Sequence, residues 1–111
     1  MNMKNVVGVL ILGLVFLLAS CGSKTPLTNE QKIYAGKWVA NDGTWLQIYN
    51  DGGGDFKKSN SNVTGGNAVI TESTITIGLM GLDTEYEITK SPYELEGDWF
   101  MELDGDLYFK N

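Results

Sequence analysis

The 111-residue chain contains no histidine, no arginine and only one cysteine. Each absence removes a class of chemistry. Without histidine, the commonest general acid–base group and the usual imidazole metal ligand are missing. One cysteine can form no intramolecular disulfide and no thiolate zinc site. Lysine is the only cation, and Lys and Arg together number 8 against 14 carboxylates. That balance argues against nucleic acid, whose phosphates are held mainly by Lys and Arg, and against electrostatic attachment to anionic headgroups. No glycine-rich phosphate loop follows a strand and opens a helix. The carboxylates fall in turns or alternate outward, which is the pattern of a solvated surface and not of a catalytic pair. Two acidic turns, Asp51-Gly52-Gly53-Gly54-Asp55 and Asp104-Gly105-Asp106, lack the spacing of a calcium loop and follow from turn chemistry. The chain is therefore expected to be no enzyme and to hold no metal or cofactor.

What is present begins with an export signal. Lys4 is a positive n-region, Val6 to Leu18 an apolar h-region, and Leu18-Ala19-Ser20-Cys21 closes it. The apolar run is shorter than the roughly 20 residues that span a bilayer. The closing tetrad resembles the bacterial lipobox. That resemblance implies a diacylglycerol on the Cys21 thiol and cleavage between Ser20 and Cys21, with two or three acyl chains anchoring the chain stably. The only cysteine stands at the one position the motif requires, and its acylation would leave no thiol for catalysis. Residues 1–20 thus read as a lipoprotein signal peptide, 21–27 as the lipidated cysteine and a flexible tether, and 28–111 as the domain. Gly22 follows in place of an acidic retention signal, which favours the outer membrane within the cell envelope.

The domain opens with Thr28-Asn29-Glu30-Gln31, where Thr28 and Gln31 have capping-box spacing, so a short helical turn is expected to end by Ala35 before Gly36. Alternation and turns follow, the signature of strands. Strands are expected at 37–40, 44–49, 55–58, 68–72, 74–79, 84–89, 93–95, 99–103 and 107–110. Asn41-Asp42-Gly43 reads as a type I′ hairpin turn, 59–67 as a polar loop, 80–83 as a turn, and Ser91-Pro92 as a break. Ile75, Ile77 and Leu79 share one face; Tyr86 and Ile88 face in, while Glu85 and Glu87 face water. About eight short strands without crossover helices predict an all-β fold, a small antiparallel meander β-barrel.

Ala35-Gly36-Lys37-Trp38, after a helical turn and opening the first strand, resembles the G-x-W start of lipocalin-like (calycin) barrels. The resemblance implies that Gly36 allows a tight entry and that Trp38 plugs one end of the barrel. The arginine that packs over the tryptophan in that family has no counterpart in a chain without arginine, and full lipocalins are nearly twice as long. The closer likeness is to small lipocalin-like bacterial lipoproteins.

Trp38, Trp45, Trp99, Tyr49, Tyr86, Phe100 and Tyr108 form a heavy aromatic load for a small domain. Such residues fill cores, line pockets or anchor interfaces. In Trp45-Leu46 and Trp99-Phe100, neighbours point to opposite faces, so one of each pair is left outside. Trp45, Trp99, Tyr86 and Phe100 are the candidate ligand contacts. Two functions remain open: a module binding a small apolar ligand, or an interaction protein of the envelope, such as an accessory subunit or enzyme inhibitor, with no ligand cavity. In both, acyl chains on Cys21 supply the membrane contact.

Overall fold

The computed structural model describes residues 24–111. The expected signal peptide, Cys21 and the first residues of the expected tether lie outside the described residues. A single 3-10 turn, Lys32–Tyr34, precedes eight strands: β1 Gly36–Ala40, β2 Trp45–Ile48, β3 Gly53–Lys58, β4 Ser61–Ile70, β5 Thr74–Leu79, β6 Leu82–Leu95, β7 Asp98–Leu103 and β8 Asp106–Lys110. They form a closed all-antiparallel meander in which each strand pairs with the next and β1 pairs with β8. Closure satisfies every edge, which a domain without disulfides needs against edge-to-edge aggregation.

The capping residues behave as their spacing predicts. Thr28 N–H donates to Gln31 Oε1 at 3.0 Å and Gln31 N–H donates to Thr28 Oγ1 at 3.3 Å. The helical stretch is nonetheless only a 3-10 turn, because the glycine at 36, with φ 127°, swings the chain into β1.

Three expectations need correction. The polar segment 59–67 is mostly strand, since Ser61–Ile70 pairs first with β3 and then with β5. Its apolar residues are few because only Val63, Gly66, Ala68 and Ile70 turn inward and are buried. Ser91-Pro92 does not break the chain: β6 runs through it with register shifts between Ile88 and Tyr93. A bulge accommodates a proline that cannot donate to the ladder. Two expected strands thereby merge into β6, which is why the total is eight. Finally, Asp42 does not adopt positive φ, as a type I′ turn would require; Gly43 does, at φ 90°, and its N–H donates to Ala40 O. The turns with two consecutive positive-φ residues are Met80-Gly81, Glu96-Gly97 and Asp104-Gly105.

The core is the barrel interior. Trp38, Tyr86, Phe56, Leu46, Ile48, Ile75, Ile77, Met101 and Leu103 are fully buried there. Ile88 packs partly buried against them, whereas Leu79 lies past the rim and is 40% exposed. Gly54 faces inward between β4 and β5: a Cβ there would stand 2.9 Å from Ala68 Cβ and 3.1 Å from Ile77 Cγ2. The missing side chain leaves room for Ala68 and Ile77 of the next two strands to pack over β3, so few side chains suffice to fill this part of the interior. Replacing Gly54 by Val is expected to cost about 1–3 kcal/mol through overpacking. The check is a lowered urea midpoint at unchanged m-value; an unshifted midpoint would mean the wall has room to spare.

Candidate functional site

Alternate turns of an up-and-down barrel fall at opposite ends. The 3-10 turn, the β2–β3 and β6–β7 turns and the C-terminus share one end. The β1–β2, β3–β4, β5–β6 and β7–β8 turns form the other. An inward-pointing lysine closes each end.

At the first end, Trp38 is fully buried and its indole N–H donates to Tyr34 O at 2.8 Å, pinning the 3-10 turn onto the barrel. Lys110, directly opposite Trp38 in the β1–β8 register, places Nζ 4.9 Å from the Trp38 ring and 5.5 Å from the Trp99 ring, and donates to Ile33 O at 3.3 Å. A Cβ on Gly36 would sit 3.2 Å from the Lys110 stem, so glycine there also leaves the lysine its bed. Burial holds the Lys110 ammonium below the usual lysine range. This lysine lies over the tryptophan ring. At the far end Lys58 donates to Thr84 Oγ1 at 2.7 Å, with Nζ 4.7 Å from the Tyr86 ring. Both contacts are cation–π pairs at a rim, where the lysine stem lies along the ring and the ring shields the core.

The four candidate ligand contacts do not converge. Tyr86 is core, packed edge-on against Tyr108 at 6.5 Å, and burial pushes its phenol pKa upward. Trp45 is on the outside under Lys37, whose Nζ is 4.5 Å from its ring, while Leu46 beside it is fully buried. Phe100 is also outside, stacked on Tyr93 at 5.7 Å, and Trp99 lies at the inner rim beside Lys110. The inward tryptophan of one pair and the outward one of the other reflect the strand each sits on: Trp99 shares a face with Met101 and Leu103, Trp45 with Gln47.

Two features are not foreseen by strand alternation. Asp55 is only 8% exposed although it lies on the outer face; its carboxylate accepts from Tyr49 Oη at 2.7 Å and from Gly65 N–H at 2.8 Å. It thereby ties the irregular β3–β4 pairing between Gly54 and Phe56. The hydrogen bond to Asp55 raises the Tyr49 phenol pKa above the ordinary tyrosine value. The second is the β5–β6 tip. Met80 is 96% exposed at φ 52°, with Leu79 and Leu82 paired beneath it, 40% and 52% exposed. Glu96 and Asp104 fill the equivalent slots of the other two such turns. The visible signal was an apolar quartet, Leu79-Met80-Gly81-Leu82, where polar turn residues are the rule.

The depressions described on this surface are open. One of about 500 Å³ is lined by Gln31, Ile33, Tyr34, Ile70 and Thr71 at the first end; another of about 430 Å³ lies between Asp42, Thr44, Lys57 and Lys58 at the far end. Among the described residues no cluster of three or more His, Cys, Asp or Glu side chains could hold a metal ion.

By fold, the domain is an eight-stranded, all-antiparallel closed barrel, consistent with a calycin-like architecture. Comparison with protein-family models, curated proteins and solved structures finds no match for the chain.

Two outcomes follow from this geometry. Lys110→Ala should uncover Trp38 and Trp99, lowering stability by about 0.5–2 kcal/mol and shifting tryptophan emission to the red; unchanged emission would mean that the rings are shielded by other groups. Tyr49 has a raised folded-state pKa, so its contribution is complete below the unfolded tyrosine value near 10 and is lost as pH rises through the folded value. Melting temperatures from pH 8 to 11.5 should therefore fall more steeply for the wild type than for Tyr49→Phe, and parallel curves would refute the linkage.

Proposed function

We propose that this chain is a lipid-anchored protein of the bacterial cell envelope, a small lipocalin-like lipoprotein of the outer membrane. In this reading its barrel is a docking module for another envelope protein and catalyses nothing. The observation that carries it is Met80. In the left-handed region a non-glycine side chain costs about 1–2 kcal/mol, and an exposed methionine returns none of that through burial. Asparagine would suit the turn better. Methionine suits an adaptable apolar contact, because its unbranched thioether moulds to irregular pockets. With Leu79 and Leu82 below it, the tip presents three apolar side chains at the rim.

The anchor supports this orientation. Leu18-Ala19-Ser20-Cys21 carries the lipobox pattern. Thr25 packs against Gly52, Leu27 N–H donates to Asn50 O, and Leu27 is buried. Cys21 precedes Thr25 by four residues, so an acyl group on it would be no more than about 14 Å of extended chain from that end of the barrel. The Met80 tip stands at the opposite end, about 20 Å along β5. A barrel held at one end would extend its apolar tip away from the membrane surface.

A second reading, a bound small apolar ligand, is favoured by the open depression beside Ile33, Tyr34 and Ile70. The barrel interior gives it less support, since nine large side chains fill it and a lysine caps each end.

One set of full-length variants tests the proposal in cells. Intact mass of the membrane-extracted protein should show residues 21–111 carrying acyl chains on Cys21, and Cys21→Ser should lose both that mass and the cleavage; an unmodified Cys21 in the wild type would refute the anchor. Met80→Asn should raise the melting temperature by several degrees, about 4–8 °C per kcal/mol, while a photo-crosslinking residue at Met80 yields one discrete heavier adduct in intact cells. If that probe recovers only monomer, the docking role is wrong.

A further inference from the structure

The outer face of β8 carries two apolar side chains, Leu107 at 42% and Phe109 at 39% exposure, while Tyr108 between them is buried. Phe109 stands directly opposite Phe100 of β7 on one side and Val39 of β1 on the other. An apolar crest therefore crosses three adjacent strands. Its two flanks differ in charge. On β7, Asp98 and Glu102 point outward on either side of Phe100, Glu102 opposite Leu107. On β1 the outward neighbour of Val39 is Lys37, held 4.5 Å over the Trp45 ring. Both flanking strands run antiparallel to β8, so Asp98 and Lys37 stand at the same level on opposite sides of the crest. Asn111, between them, donates to Lys37 O at 2.8 Å.

A surface with an apolar crest, acidic on one flank and basic on the other, is complementary to itself after a half-turn about the crest. We propose that two copies of this chain pair across β8 about a two-fold axis parallel to that strand. Phe109 then meets Phe109 and Leu107 meets Leu107. Phe100 covers the partner's Val39, and Asp98 of each copy lies over Lys37 of the other. This is an isologous contact, in which one patch serves both sides, and the strands of the two faces remain nearly aligned, as packed sheets do. The closed barrel offers no edge for pairing through backbone hydrogen bonds, so side chains on a face are what is left to self-associate. This pairing uses β7, β8 and β1 and is independent of the docking role of the Met80 tip.

Cysteine placed on the axis tests it, because an on-axis residue faces its own counterpart. In full-length protein in cell membranes, Phe109→Cys and, separately, Leu107→Cys should give a species of twice the chain mass with a short bismaleimide, whose reach matches the roughly 10 Å between packed sheet faces. Val69→Cys, outward on β4 at the opposite side of the barrel, should stay monomeric. Lys37→Asp or Asp98→Lys added to Phe109→Cys should lower the crosslinked fraction severalfold, and both together should restore it. Folded monomer from both on-axis variants, a product of any other mass, or a yield indifferent to the charge reversals would overturn the proposal. Wild-type protein, with Cys21 alone, is run alongside; a crosslink there reports a free Cys21 thiol and counts against the anchor, and the on-axis variants are then read in a Cys21→Ser background.

Discussion

The pairing of β1 with β8 is the constraint on which the rest of this structure depends. It brings the first and last strands of a domain without disulfides into one ladder, with Trp38 opposite Lys110 and Val39 opposite Phe109. On the inside it sets the lysine over the plug tryptophan and so seals one end of the core. On the outside it joins Phe109 to Val39 and completes the apolar crest. Opening this seam would expose both the core and two strand edges, in a domain too small to lose either without unfolding.

A barrel of this size meets a volume problem before it meets a functional one. Eight strands enclose an interior that side chains just fill, and Ala68 and Ile77 pack into the space Gly54 leaves open. The aromatic residues that could have lined a cup are therefore spent in other places: Trp38 and Tyr86 in the core, Trp99 at a rim, Trp45 and Phe100 outside. Lysine rather than arginine closes both rims, and this is physically reasonable, since a flexible stem can lie along an aromatic face. With the interior filled, chemistry is left to the surface, and that surface holds two unlike features: a strained apolar tip on β5–β6 and a charge-asymmetric crest on β8.

Some of this was legible from the residues alone. The alternation around Leu46, Ile48, Ile75, Ile77 and Tyr86 told which side chains face in, because a two-residue period on a half-buried strand leaves few other arrangements. Thr28 and Gln31 told where the N-terminal turn begins. Residues 61–67 of β4 were illegible, while 68–70 read as strand, because the inward positions of that first part are only Val63 and Gly66, so hydrophobicity could not mark a strand whose neighbours leave no room. The passage of β6 through Ser91-Pro92 was hidden for a different reason: whether a proline ends a strand or sits in a bulge depends on the partner strand.

The sequence by itself determined the class of structure and the chemistry that is missing. Period-two alternation with short turns can bury its apolar face only as packed sheet, and a chain without histidine or arginine lacks those groups in any fold. Only the tertiary structure decided which residues meet. Lys110 with Trp38 and Lys58 with Tyr86 are brought together by barrel closure and strand register, as are Asp55 with Gly65 and the row from Phe100 through Phe109 to Val39. Contacts between residues far apart in the chain are set by strand register and barrel closure, and local pattern carries no record of that register.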